Sequence, residues 1–241
     1  MQRYFVDYTF DASLIIKDSN QVHHISHVMR MTKGDKVVVC DLNGHCFYME
    51  INRITAKDVH LTKQQALPKL DKKFHVTLAQ ALIRKDHFEL VCQKATELGV
   101  DTIIPIETER TNVKLKPDQV DKKRSRWQPI DQETHEQSHR NAMSMLSNIM
   151  NLKDLDFNGY DKVFIAYEKE DTITLKQALK TVDTDDKVML IIGPEGGFSE
   201  TEINAINAHA QSVSLGPRIL RSETAALYAL AALSYELEMS E

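Results

Sequence analysis

Along the 241-residue chain the rhythm of apolar and polar positions changes once, near residue 70. Before that point the apolar runs are short. Lys36-Val37-Val38-Val39-Cys40-Asp41 and Cys46-Phe47-Tyr48-Met49-Glu50-Ile51 flank Leu42-Asn43-Gly44-His45, and Asn-Gly between two apolar runs is a strong hairpin signal. Lys57 to Leu61 reads as a further strand. Ser19 to Met31 is different, because Val22, His24, Ile25, Val28 and Met29 fall near one face of a short helix. Small strands with one helix predict a compact β-barrel.

Ala66 to Lys73 is polar and carries Pro68, which marks it as a linker. Beyond it, strand and helix patterns alternate. Phe74 to Gln80, Thr102 to Ile106, Asp161 to Tyr167 and Lys187 to Ile192 read as strands. Asp86 to Leu98 reads as a helix with Phe88, Val91, Cys92, Ala95 and Leu98 on one face, ended by Gly99. Strands separated by helices predict an α/β fold with a mainly parallel sheet covered on both faces. The last helix, about Glu223 to Glu238, is apolar nearly all round from Ala225 to Leu233. Such a helix is buried on several sides, and a subunit interface is a natural place for it. The expected domains are residues 1–70 and 71–241.

Composition narrows the class. At 42% hydrophobic residues the chain can bury a core. No run approaches 18 apolar residues, so no membrane span is expected. Met1 to Asp7 has no apolar segment behind a basic start, so no secretory signal is expected. Cys40, Cys46 and Cys92 lack metal or redox spacing; they read as free thiols in a reducing compartment, with no metal site. The net charge of −5 argues against a wholly basic nucleic-acid binder. Charge is uneven, however. Residues 1–70 hold nine Lys/Arg against seven Asp/Glu and five of the ten His. Lys114 to Arg126 gathers Lys114, Lys116, Lys122, Lys123, Arg124 and Arg126 around Asp118 and Asp121; this is either a solvated helix face or a stripe that meets phosphates.

The stretch with the most chemical content is Leu190-Ile191-Ile192-Gly193-Pro194-Glu195-Gly196-Gly197-Phe198-Ser199-Glu200. An apolar strand breaks on glycines, and Ser199 with Glu202 has capping-box spacing for the helix that follows. Open α/β sheets bind ligands at such turns, outside the strands' carboxyl ends. Alone, the turn is equally well a plain connection. The chain has no phosphate-cradling Gly-x-x-x-x-Gly-Lys and no dinucleotide Gly-x-Gly-x-x-Gly after a strand. A second stretch follows, Leu215-Gly216-Pro217-Arg218-Ile219-Leu220-Arg221-Ser222-Glu223-Thr224-Ala225-Ala226.

Together the two stretches resemble the paired signature of the SPOUT methyltransferases, in particular the branch that methylates N3 of a uridine in small-subunit (16S) ribosomal RNA. His23 to Arg30, Gln93 to Val100 and Glu136-Gln137-Ser138 extend the resemblance along nearly the whole chain. It implies a C-terminal α/β-knot domain, with a deep trefoil knot over roughly Lys187 to Ala226, and a small N-terminal PUA-like β-barrel that grips RNA. It implies S-adenosylmethionine as methyl donor, no metal, a homodimer, and a cytoplasmic protein acting on ribosomal RNA or the assembled small subunit. Other targets in the same superfamily, a ribose 2′-hydroxyl or a tRNA base, stay open, as does a non-catalytic role in RNA binding or ribosome assembly.

By the resemblance, the donor lies on Ile192, Gly193, Glu195 and Gly196 of the first loop and on Leu215, Gly216, Ile219, Leu220 and Ala225 around the second. Ile219 and Leu220 would form apolar walls; Leu215 and Leu220 also have a plain use as core. Uridine N3 must lose a proton, and charge then develops on the uracil oxygens, so the site needs an acceptor or a cation near the base. Arg140, Arg221 and Glu223 are the substrate-side candidates, with Arg140 reaching across a dimer interface and Arg110 a further phosphate contact. Arg221 and Glu223 could equally form an ion pair that caps the last helix. Two departures touch the substrate side: His139 stands where the family usually has glycine, and Pro129 interrupts a helix beginning near Trp127.

Overall fold

The computed structural model describes residues 1–41, 43–68, 74–113 and 144–238. They fall into two compact units, one up to residue 68 and one from residue 74.

The first unit is a five-stranded curled sheet. Its strands are β1 (Arg3–Phe5), β2 (Ser13–Ile16), β3 (Lys36–Cys40), β4 (Cys46–Ile54) and β5 (Val59–Ala66), in the order β1-β3-β4-β5-β2. The predicted hairpin is β3–β4, with Val37 opposite Met49 and Val39 opposite Phe47. Tyr4, Ile25, Val37, Met49, Ile51, Val59 and Leu61 fill one concave face. Helix α1 (Ser19–His23) covers it, started by Asp18, whose carboxylate accepts from the Asn20 and Gln21 amides. The helix expected over residues 19–31 is therefore shorter, and His24–Val28 continues it as a wider π-helical turn. Tyr4 Oη and His24 Nδ1 lie 3.0 Å apart, and the His23 and His27 rings stack at 4.8 Å.

The cysteine expectation needs correcting. The β3–β4 register sets Cys40 directly opposite Cys46, their Cα atoms are 4.0 Å apart, and the two are joined as a disulfide. Sequence spacing gave no hint, because hairpin register, not separation along the chain, brings them together. Cys92 stays outside any disulfide, as expected, and is buried.

The second unit is α/β. Strands β6 (His75–Ala81), β7 (Thr102–Glu107), β8 (Met145–Leu146), β9 (Met150–Asn151), β10 (Lys162–Ala166), β11 (Lys187–Ile192) and β12 (Gln211–Val213) form one sheet. Its order is β12-β10-β11-β6-β7-β8, with β9 also on β7, and every pairing is parallel. Period-two alternation along β11 sends Val188, Leu190 and Ile192 to one core and Met189 and Ile191 to the other. The first core is closed by α2 (Lys85–Glu97), α3 (Leu175–Leu179) and α5 (Ser222–Glu238), through residues such as Phe88, Leu179 and Leu233. The second is closed by α4 (Glu200–Ile206), through Ile203 and Ile206. Both faces are covered, so continuous apolar strands are the physical requirement. Helix α2 ends as expected at Gly99, whose φ of 92° a side chain would resist.

Candidate active site

Strands β10 and β11 are neighbours, and both carboxyl ends point to the same edge. At that edge β11 runs into residues 193–198, and the expected capping box then starts α4. Ser199 Oγ accepts from the Glu202 amide at 3.1 Å, and the Glu202 carboxylate accepts from the Ser199 amide at 2.9 Å. The other Glu202 oxygen takes the Glu109 amide at 2.8 Å, which ties in the loop after β7.

The first loop is made by what its glycines omit. A Cβ on Gly193 would stand 2.9 Å from the ring of Phe198, which is itself buried. A Cβ on Gly196 would stand 3.2 Å from Arg110, whose Nη1 donates to the Gly196 carbonyl at 3.1 Å. Through that bond the Arg110 side chain braces the loop.

The second loop comes back beside the first. Ser222, the first residue of α5, is buried; its Oγ donates to the Gly193 carbonyl at 2.5 Å and accepts from Gln80 Nε2 at 2.9 Å. Residues 29 and 142 apart in sequence thus meet in one hydrogen-bonded chain across β6, β11 and α5.

Between the loops lies a cleft of about 270 Å³. Ile192, Gly193 and Glu195 line it from the first loop; Leu215, Gly216, Ile219, Leu220 and Ala225 line it from the second and from α5. Of the nine donor-site residues expected from sequence, Gly196 alone is not on the wall. Ile219 is 83% exposed, so its apolar surface is not core. Leu215 and Leu220 are half-buried and pack against the main core, so they serve both uses. The cleft combines apolar walls, main-chain groups and four charged side chains, Glu168, Glu195, Arg218 and Arg221. That set fits a group with a flat apolar base, hydroxyls and a charged amino-acid tail.

The substrate-side candidates separate. Arg221 lines the cleft. Glu223 does not: it is buried, its Oε1 is 3.4 Å from His87 Nδ1, and its Oε2 has no partner among the described residues. Among the described residues no ion pair joins Arg221 to Glu223. Arg140 and the segment Glu136 to Ser138, with His139, Pro129 and the basic run Lys114 to Arg126, lie outside the described residues. Sequence reading missed Ser222 and the end of β10, from which Tyr167 and Glu168 enter the wall. No local signal marks Glu168: only the adjacency of β10 and β11 in the fold sets residues just past both strands on one edge.

An RNA methyltransferase domain model matches residues 70–234, and an RNA methyltransferase PUA domain model matches residues 16–64. The ribosomal RNA small subunit methyltransferase E of Bacillus subtilis is 34% identical over 99% of this chain and 98% of its own length. The chain belongs to this methyltransferase E family. A Legionella pneumophila protein described as a putative methyltransferase in complex with S-adenosylmethionine superposes with a TM-score of 0.85, at 30% identity over 96% of each chain. A ribosomal RNA small subunit methyltransferase E from Neisseria gonorrhoeae, bound to S-adenosylmethionine, also gives 0.85, at 25% identity over 97% of this chain and 96% of that one. Family membership makes this chain an S-adenosylmethionine-dependent RNA methyltransferase, with a SPOUT-class α/β domain and a PUA-like N-terminal domain. Among the described residues no group of His, Cys, Asp or Glu is placed to hold a metal ion.

Proposed function

We propose that this methyltransferase E family member transfers the methyl group of S-adenosylmethionine to N3 of a uridine in small-subunit ribosomal RNA. The observation that carries the reading is the Ser222–Gly193 hydrogen bond, which holds the two glycine loops side by side around the cleft. The relatives named above are ribosomal RNA methyltransferases or were seen with this donor, which supports the same use of the cleft here.

In the proposed site, the glycines let the adenosyl group lie on the main chain of residues 192–196, and Ile219 and Leu220 cover its base. Methyl transfer is an in-line displacement, so fixing donor and acceptor supplies much of the rate. Arg221, at the cleft wall, would stabilise the uracil oxygen that gains charge as N3 gives up its proton. Arg140 is kept as a second cation on the substrate side. Glu223 is reassigned from substrate contact to positioning the start of α5, because its carboxylate is buried beside His87. N3 lies on the pairing edge, so the uridine must be unpaired or turned out.

Residues 1–70 would grip RNA while residues 71–241 bind the donor and pair two chains. The outer face of α5, where Tyr228 and Tyr235 are exposed, supports a homodimer. Segment 187–226 is proposed to be the knotted part. No described helix is long and apolar enough to cross a membrane; a ribosomal RNA substrate supports a cytoplasmic location.

Nucleoside analysis of small-subunit rRNA from cells lacking the protein tests the function. One 3-methyluridine should vanish and return with the wild-type gene. Unchanged 3-methyluridine, with a ribose or tRNA methylation lost instead, would redirect the assignment.

A further inference from the structure

We propose that Glu168 is a donor-binding residue whose carboxylate accepts the two ribose hydroxyls of the adenosyl group; the inference rests on the cleft being the donor site. Three independent observations lead to it.

Glu168 stands just past the end of β10 and lines the cleft. Strand β10 runs beside β11, which carries the glycine loop, with Ile165 opposite Ile191. In doubly wound dinucleotide folds an acid further along the chain from the glycine-loop strand takes the ribose hydroxyls. The wiring is different here, but an acid again shares the carboxyl edge of the sheet with the loop.

Gly197 lies against this carboxylate. Its φ is +67°, which favours glycine, and an added Cβ would stand 2.6 Å from Glu168 Oε1 and 3.1 Å from Oε2. The bare Cα leaves the Glu168 carboxylate room to rest against the loop.

The carboxylate is also uncommitted. Its neighbour Lys169 is engaged elsewhere, with Nζ 2.7 Å from Glu200 Oε1, and that hydrogen bond holds Lys169 above and Glu200 below their ordinary titration ranges. Among the described residues the Glu168 carboxylate has no hydrogen-bond or ion-pair partner. An ionised carboxylate only accepts hydrogen bonds, and a vicinal diol presents two donors to its two oxygens. Of the other charged groups in the cleft, the guanidinium group of Arg218 suits the donor's own carboxylate instead.

The test is calorimetric titration of the full-length chain, wild type and Glu168→Ala, with three probes. These are S-adenosylhomocysteine, its 2′,3′-dideoxy analogue, and 5′-methylthioadenosine, which keeps the diol but lacks the amino acid. Glu168→Ala should weaken S-adenosylhomocysteine and methylthioadenosine by the same factor, roughly ten- to a hundredfold. It should leave the dideoxy analogue, already weak on wild type, unchanged. Glu168→Gln, with one accepting oxygen, should fall between. Equal losses for all three probes, or a loss confined to S-adenosylhomocysteine, would overturn the ribose contact while leaving the donor site standing. So would unchanged affinity for all three. A wild-type chain that binds none of them would overturn the donor site and this contact together.

Discussion

Gly193 shows how narrow the tolerances are at a single position. Its absent Cβ leaves space for the Phe198 ring, which cannot retreat because it is buried in the second core. Overpacking of this kind costs about 1–3 kcal/mol. Gly193→Ala should therefore lower the melting temperature modestly and weaken donor binding by at least tenfold in a calorimetric titration. Ser222→Ala acts differently. It leaves the part-buried Gly193 carbonyl and one of the two N–H groups of Gln80 Nε2 without a partner, a loss of about 1–3 kcal/mol. The expected outcome is a lower denaturant midpoint together with weaker donor binding, because the same hydroxyl holds both loops. The amide of Gln80 has one sensible orientation: Ala81 O and Ser222 Oγ both need a donor from it, so Nε2 faces them. The residues that line the cleft were picked out through the family resemblance of two short stretches; glycine, proline and apolar residues alone marked only turns. Ser222, Gln80 and Glu168 were not, since each matters only through partners far away along the chain.

At the scale of elements, what could be read locally was read well. The Ser199–Glu202 box is a property of four consecutive residues, and both of its bonds are present. Ser199→Ala should cost about 1 kcal/mol in equilibrium unfolding. Glu202→Ala should cost more than an ordinary capping loss, because it also releases the Glu109 amide after β7. The apolar surface of α5 was legible for the same reason, since Ala226, Ala229, Leu230 and Leu233 are all buried. Strands β1 and β2 are three and four residues long, too short to show a period, and pairing with distant partners makes them strands. The π-helical turn after α1 was equally hidden, because His24 to Val28 keeps a helix-like apolar pattern while its hydrogen bonds widen.

For the whole molecule, alternation of strands and helices made the parallel sheet foreseeable, but not its order. Nothing in the local pattern says that β11 lies between β10 and β6. That order puts the carboxyl ends of β10 and β11 side by side, which is what builds the cleft. The proposed homodimer makes a prediction at this scale. Tyr235 is 71% exposed on α5, and Tyr235→Asp should shift sedimentation toward a monomer. Tyr235→Phe should leave the mass unchanged, and a monomeric wild-type chain would end the proposal.

The pairing of β6 with β11 also bears on biosynthesis. Six residues, 75–80, pair with 187–192, more than a hundred positions later. While a ribosome is still making the intervening stretch, β6 has only β7 to bond with and shows an apolar open edge, which invites sticking to other nascent chains. The sheet's centre closes only once translation has passed residue 192, and the cleft between the loops only after α5 has emerged from the exit tunnel.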